Sequence, residues 1–153
     1  MKLSEKLKVN SQKIRVREFV MAGQKLRVRV PLVSEMDEMN DRVKNADISI
    51  QYEKLSAPLI EKKEAIEGEA IEFKEDDIFI SGKSVKEMAK MAAQTNARIL
   101  EMFKLLVPEM DGENMENLTY EEIESEFPFS IQIELSKKIT EVISPGYEEA
   151  RKN

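Results

Sequence analysis

The sequence predicts a mainly α fold: about five helices packed with an N-terminal β-hairpin, with room for a third short strand near residues 77–81. Three observations carry that expectation. Residues 13–31 (KIRVREFVMAGQKLRVRVP) alternate apolar and polar side chains in two runs, the period of extended chain. Residues 84–106 place apolar side chains at the i, i+3, i+4 repeat of a core-facing helix. Residues 119–143 pair an acidic helix start with a second, unusually apolar helix that opens at a proline.

The two alternating runs flank Met21-Ala22-Gly23-Gln24, which predicts a hairpin with a short Gly-containing loop. One face is expected to collect Ile14, Val16, Leu26, Val28 and Val30, and the other Arg15, Arg17, Arg27 and Arg29. A two-stranded hairpin is marginal alone, so its apolar face must rest on helices or further strands. The other strand-like segments are Ile78-Phe79-Ile80 and Ile71 with Phe73.

Pro31 ends the ladder because it has no N–H to donate, and Ser34 is then expected to cap a helix carrying Met36, Met39 and Val43 on one side. A helical pattern resumes near Asp47 and runs to about Glu67, with Ile48, Tyr52, Leu55, Leu59 and Ile66 roughly in line. Pro58 predicts a kink or a division into two shorter helices, the second capped by Ser56. Ser84 and Glu87 have the spacing of a capping box and start the clearest helix, whose stripe is Val85, Met88, Ala89, Ala92, Ile99, Met102, Phe103 and Leu106. Pro108 stops it. Thr119 and Glu122 form a second capping box, and Pro128 starts the last helix, which runs to Ile143. The expected organisation is one domain: a hairpin arm over 12–31, a helical core over 34–107, C-terminal helices over 119–144 and a tail over 145–153.

Composition removes much chemistry. The 153 residues contain no His, no Cys and no Trp, so the commonest metal ligands and the commonest general base are missing. Ser-His-Asp and Cys-His nucleophile systems are impossible, and carboxylate, Lys or Tyr chemistry is all that remains for an enzyme. No catalytic residue, cofactor or metal ligand is assigned, and a non-enzymatic protein is expected. No apolar run approaches the ~20 residues of a membrane span. The amino terminus lacks the apolar stretch of a signal peptide, so the cytoplasm is the expected location.

The net charge of −6 conceals an asymmetry. Residues 1–31 carry nine Lys or Arg against two Glu, whereas nine acids and no basic residue lie between Lys104 and Lys137. Complementary ends of this kind favour weak self-association, head to tail. The hairpin arginines Arg15, Arg17, Arg27 and Arg29 are candidate interaction residues, since like charges opposed across strands call for a counter-charge from nucleic acid, an acidic partner or the chain's own acids. The plainer account is a solvated face screened by salt. Nucleic acid is not expected as a partner, because the chain is acidic overall and no aromatic side chains interleave the arginines.

Glu121 and Glu122 are the acidic candidates for the complementary surface, although with Glu124 and Glu126 they also suit a helix N-terminus through its dipole. Asp111-Gly112-Glu113-Asn114 lacks the spacing of a calcium loop, and Asp76-Asp77 reads as a turn before a strand. In the last helix, Phe127, Ile131, Leu135, Ile139 and Val142 form an inner face and leave Phe129 and Ile133 on another side. Such a helix is either buried all round or presents Phe129 and Ile133 as a docking surface.

The segments VPLVSEM, YEKLSAPLIE and KLLVPE, followed by LTYEEIESEFPFSIQIELSKKITEVISPGYEEARKN, resemble the tail assembly chaperones of long-tailed bacteriophages and prophages. The resemblance implies a small, mostly helical, non-enzymatic protein in the cytoplasm of the bacterial host, absent from the mature virion. It implies that the protein binds the tape measure protein, keeps its long helices soluble and helps recruit the tail tube protein. It further implies a longer form made by ribosomal frameshifting, with an added domain that binds the tube subunit. The alternative is a small cytoplasmic self-assembling or regulatory protein-binding module of unrelated function.

Overall fold

The computed structural model describes residues 1–62, 70–109 and 115–145. In chain order the elements are α1 (Leu3–Lys6), α2 (Ser11–Ile14), β1 (Val16–Met21), β2 (Gln24–Arg29), α3 (Val33–Lys44), α4 (Ser49–Lys62), β3 (Ile71–Phe73), β4 (Ile78–Ile80), β5 (Lys83–Ser84), α5 (Val85–Lys104), α6 (Tyr120–Glu126) and α7 (Phe129–Ile143). The expected mainly α chain with an N-terminal hairpin is what forms, and the strand anticipated near 77–81 is the middle strand of a small sheet ordered β3-β4-β5. The chain divides into two compact units, Met1–Met39 with Ile99–Asn153, and Asn40–Arg98.

The first unit contains the hairpin. Its loop is two residues long, Ala22 and Gly23, with φ of 52° and 77°. Two successive left-handed residues make the tight turn whose twist matches the strands, and Gly23 adopts it without steric cost. A two-residue loop fixes the register, setting Val16 opposite Arg29, Arg17 opposite Val28 and Glu18 opposite Arg27. Paired residues share a face, so the grouping expected from the sequence is off by one residue on one strand. Arg17 lies on the side of buried Phe19 and Val28, while Arg27 and Arg29 lie on the side of Val16, Glu18 and Val20.

The second edge of β2 is also paired. Arg29 N–H donates to the Leu105 carbonyl at 2.8 Å and Val107 N–H to the Arg27 carbonyl at 2.9 Å, with Val28 bridging Leu106. This pairing explains why α5 ends at Lys104 and not at the expected Leu106: the residues before Pro108 leave the helix to extend the sheet. Phe19 and Val28 pack with Met39 of α3, Ile99, Met102 and Phe103 of α5, Ile123 of α6, and Leu135, Ile139 and Val142 of α7. Phe127 meets Phe103 edge to face, with centroids 5.5 Å apart. Complete burial of Ile139 alone stabilises the fold by about 2–3 kcal/mol.

Several local expectations are corrected. Ser34 is inside α3 and does not cap it; Leu32 precedes the helix, and its N–H donates to the Glu35 carboxylate at 2.8 Å. Glu35 thus supplies the half of a capping box that reaches back to the start of the helix. In the last helix the buried face reads Gln132, Leu135, Ile139 and Val142, with Ile131 only half-buried. Gln132 can be buried because its amide accepts from the Tyr120 hydroxyl at 2.8 Å and donates to the Phe127 carbonyl at 2.7 Å. Thr119 caps α6 as expected, accepting from Glu122 N–H at 3.3 Å, and Pro128 is the N-cap of α7.

The second unit contains α4, the β3-β4-β5 sheet and most of α5. Pro58 is within one continuous helix, α4, and Ser56 is buried in mid-helix instead of capping a second one. Asp47 caps α4 by accepting from Ser49 N–H at 2.9 Å. Ile66 and Glu67, expected to extend this helix, lie outside the described residues. Leu59, Ile78 and Val85 form a small core with Tyr52, Ile71, Ile80 and Met88. Beside it, the Asp77 carboxylate accepts from Ile78 N–H at 2.7 Å, Lys86 N–H at 3.0 Å and the Ser84 hydroxyl. Ser84 in turn accepts from Glu87 N–H at 3.1 Å, so Asp77 and Ser84 together cap α5.

Candidate protein-binding surface

The four arginines of the hairpin region are built into four different settings. Arg15, just before β1, donates through Nε to the Val30 carbonyl at 2.9 Å and pairs with the Glu35 carboxylate. The hydrogen bond from Leu32 N–H holds the Glu35 carboxyl below its ordinary range, against the opposing effect of burial. The Arg15 charge and, more weakly, that of Arg29 add to the lowering. Arg17 donates to the Val142 carbonyl at 2.6 Å, placing a cation on the last turn of α7, where exposed carbonyls and the helix dipole favour positive charge. Arg27 donates to the Pro108 carbonyl at 2.9 Å. Arg29 is exposed on the outer side of β2.

Arg27 also lines an open cleft of about 660 Å³, together with Glu18, Lys25, Leu26, Pro108 and Met115. Lys25 and Glu18 approach to 3.5 Å at its rim, both well exposed, so this ion pair contributes little to stability. The expected arginine face is therefore dispersed. Among the described residues, the contacts of Arg15 and Arg27 run to Glu35 and to backbone carbonyls, not to Glu121 or Glu122.

Glu121 and Glu122 are exposed in the first turn of α6, where their charges favour the helix start. Residues 111–114, which lack the spacing of a calcium loop, and residues 146–153 of the tail lie outside the described residues. Among the described residues, no three acids gather in a way that could hold a metal ion. Asp77, which has three donors on its carboxylate, is a helix cap. Burial pushes its carboxyl up, but hydrogen bonds from Ser84, Ile78 and Lys86 and the Lys86 charge outweigh that and lower it overall.

Phe129 and Ile133 are 56% and 41% exposed, one turn apart on α7, while Leu135, Ile139 and Val142 of the same helix are fully buried. Of the two possibilities left open by the sequence, the structure takes the exposed one. A Phe and an Ile at i, i+4 form a ridge that another helix can pack against. No protein family, no curated protein and no solved structure matches the chain.

Two features lie outside the sequence reading. Gln132 is a buried polar member of the inner face of α7, and an apolar stripe leaves it out although its 132, 135, 139 spacing is helical. Leu3 and Leu7 are the other, exposed on the arm before the hairpin. Their i, i+4 spacing among lysines was the available signal.

Proposed function

We propose that this protein is a tail assembly chaperone of a long-tailed bacteriophage or prophage, acting in the cytoplasm of the bacterial host without catalysing a reaction. In this reading it binds the tape measure protein, keeps its long amphipathic helices from aggregating, and helps bring the tail tube protein to the growing tail. The observation that carries the reading is the exposed Phe129–Ile133 ridge on a helix whose opposite side is core. A client helix with apolar residues at i, i+3 and i+4 would lay its stripe on that ridge. Release from the finished tail requires modest affinity, which two aromatic or aliphatic anchors with an acidic surround would give.

The test is co-expression with the tape measure protein encoded in the same genome, followed by a pull-down and measurement of the soluble fraction. The expected result is a soluble complex that is lost on Phe129→Asp with Ile133→Asp, two exposed changes that leave the core intact. A tape measure protein that remains insoluble and unbound with the unaltered chaperone overturns the reading.

A further inference from the structure

Residues 1–14 form an arm that buries none of its own side chains: neither α1 nor α2 contains a buried residue. The arm is nonetheless structured. Leu7 N–H donates to the Leu3 carbonyl at 3.0 Å, and the Asn10 side chain caps α2 by accepting from Gln12 N–H at 3.0 Å and Lys13 N–H at 3.1 Å. One helical turn is marginal in water by itself, and exposed leucines on it are apolar surface open to a partner. Leu3 and Leu7 are 69% and 61% exposed, on one side of that turn. Around them stand Lys2, Lys6, Lys8 and Lys13 against the single acid Glu5.

The chain carries a surface of matching chemistry. Residues 119–136 contain Glu121, Glu122, Glu124, Glu126 and Glu134 and no Lys or Arg, and Phe129 and Ile133 emerge between Glu126 and Glu134. Two apolar side chains at i, i+4 set among acids face two apolar side chains at i, i+4 set among lysines. Within one chain both pairs stand exposed, so the complementarity is not used internally.

We propose that the arm of one copy docks on α7 of a second copy, with Leu3 and Leu7 against Phe129 and Ile133 and the arm lysines over the α6–α7 glutamates. The inference rests on these two surfaces; the ridge is the one that the proposed client helix uses, so arm and client compete for it and a bound client displaces the arm. The contact is heterologous, arm to helix, so it closes when two copies exchange arms and extends when each arm reaches a further copy. Its charged surround makes it sensitive to salt, and its small apolar centre makes it reversible.

The absence of cysteine allows a clean test, because each introduced thiol is unique. Leu3→Cys and Ile133→Cys proteins are mixed and treated with a short bis-maleimide, with Leu3→Cys plus Met91→Cys as control, Met91 being an exposed α5 residue. The expected result is a crosslinked dimer from the first mixture, formed at least about tenfold faster than from the control and slowed about tenfold by raising salt from low to half molar. Equal rates in the two mixtures overturn the proposal. So does a Leu3→Cys/Ile133→Cys double variant that loops within one chain while the mixed single variants stay unlinked. Leu3→Glu with Leu7→Glu gives a second readout, since the arm buries nothing and its change leaves folding intact. This variant is expected to sediment as a monomer where the parent chain does not, and unchanged sedimentation overturns the proposal. Client solubility is measured separately, so failure of the arm contact is distinguishable from failure of the chaperone reading.

Discussion

The β1–β2 and β4–β5 hairpins share one turn and differ in what holds them. Ala22-Gly23 and Ser81-Gly82 both place a non-glycine residue and then a glycine in the left-handed region, at φ of 52° and 77° in the first and 49° and 81° in the second. Beyond the turn, β1 and β2 run six residues each and set Phe19 and Val28 into a core shared with α3, α5, α6 and α7. β4 and β5 run three and two residues. They have too little apolar side chain for a comparable core, and the deficit is met by Asp77, whose carboxylate ties β4 to the start of α5. A long hairpin is held by what its inner face buries, and a short one by what its polar ends bond to.

Phe19→Ala tests the first half of that contrast and has the largest expected effect, a loss of about 3–5 kcal/mol in denaturant unfolding. Asp77→Ala tests the second half. It is expected to cost less than Phe19→Ala and to act locally, with faster amide exchange from residue 78 through the first turns of α5 while residues 16–29 keep their protection. Asp77 also gives the short hairpin a pH dependence. Its folded pKa lies below the ordinary value of 3.8, so its contribution is fully present above about pH 4 and is lost as pH falls through the folded pKa. A thermal-melting series from pH 6 to pH 3 is expected to show a steeper acid limb for the parent protein than for Asp77→Asn.

Smaller effects sharpen the comparison further. Arg17→Met leaves the register intact but removes the cation from the last turn of α7, with an expected cost of about 1 kcal/mol. Ala22→Asn and Ser81→Asn place the residue that such turns favour at the strained position, and each is expected to stabilise by up to about 1 kcal/mol. A gain at one turn and not at the other would show that the two backbones are not equivalent.

Where one signal determined one element, the sequence was a good guide. Ser84 and Thr119 were legible as caps because a hydroxyl three residues before a carboxylate or amide side chain has one strong local use. Ser34 and Ser56, expected as caps from their residue type near a proline, do not cap: Glu35 took over the capping role at α3, and α4 runs through Pro58 without a break, with Leu59 and Tyr52 in its small core. The hairpin was legible as a hairpin, but its faces were not. Alternation is the same in either register, and only the length of the loop decides which residues of two alternating strands share a side. That one-residue difference separated Arg17 from Arg27 and Arg29 and dissolved the arginine face. The Phe129–Ile133 side of α7 was legible as an excess of apolar positions over one stripe, whereas its exposure depended on which neighbours the fold supplied.

The pairing of β2 with residues 105–107 and the bond from Arg17 to Val142, 125 residues apart in sequence, give the first unit a history as well as a shape. Its inner hairpin face is synthesised first and covered last. Residues 40–98 intervene, and as a contiguous unit they can close on themselves while Phe19 and Val28 still wait for the end of α5, α6 and α7 to leave the ribosome. For that interval the chain carries an open apolar hairpin of its own.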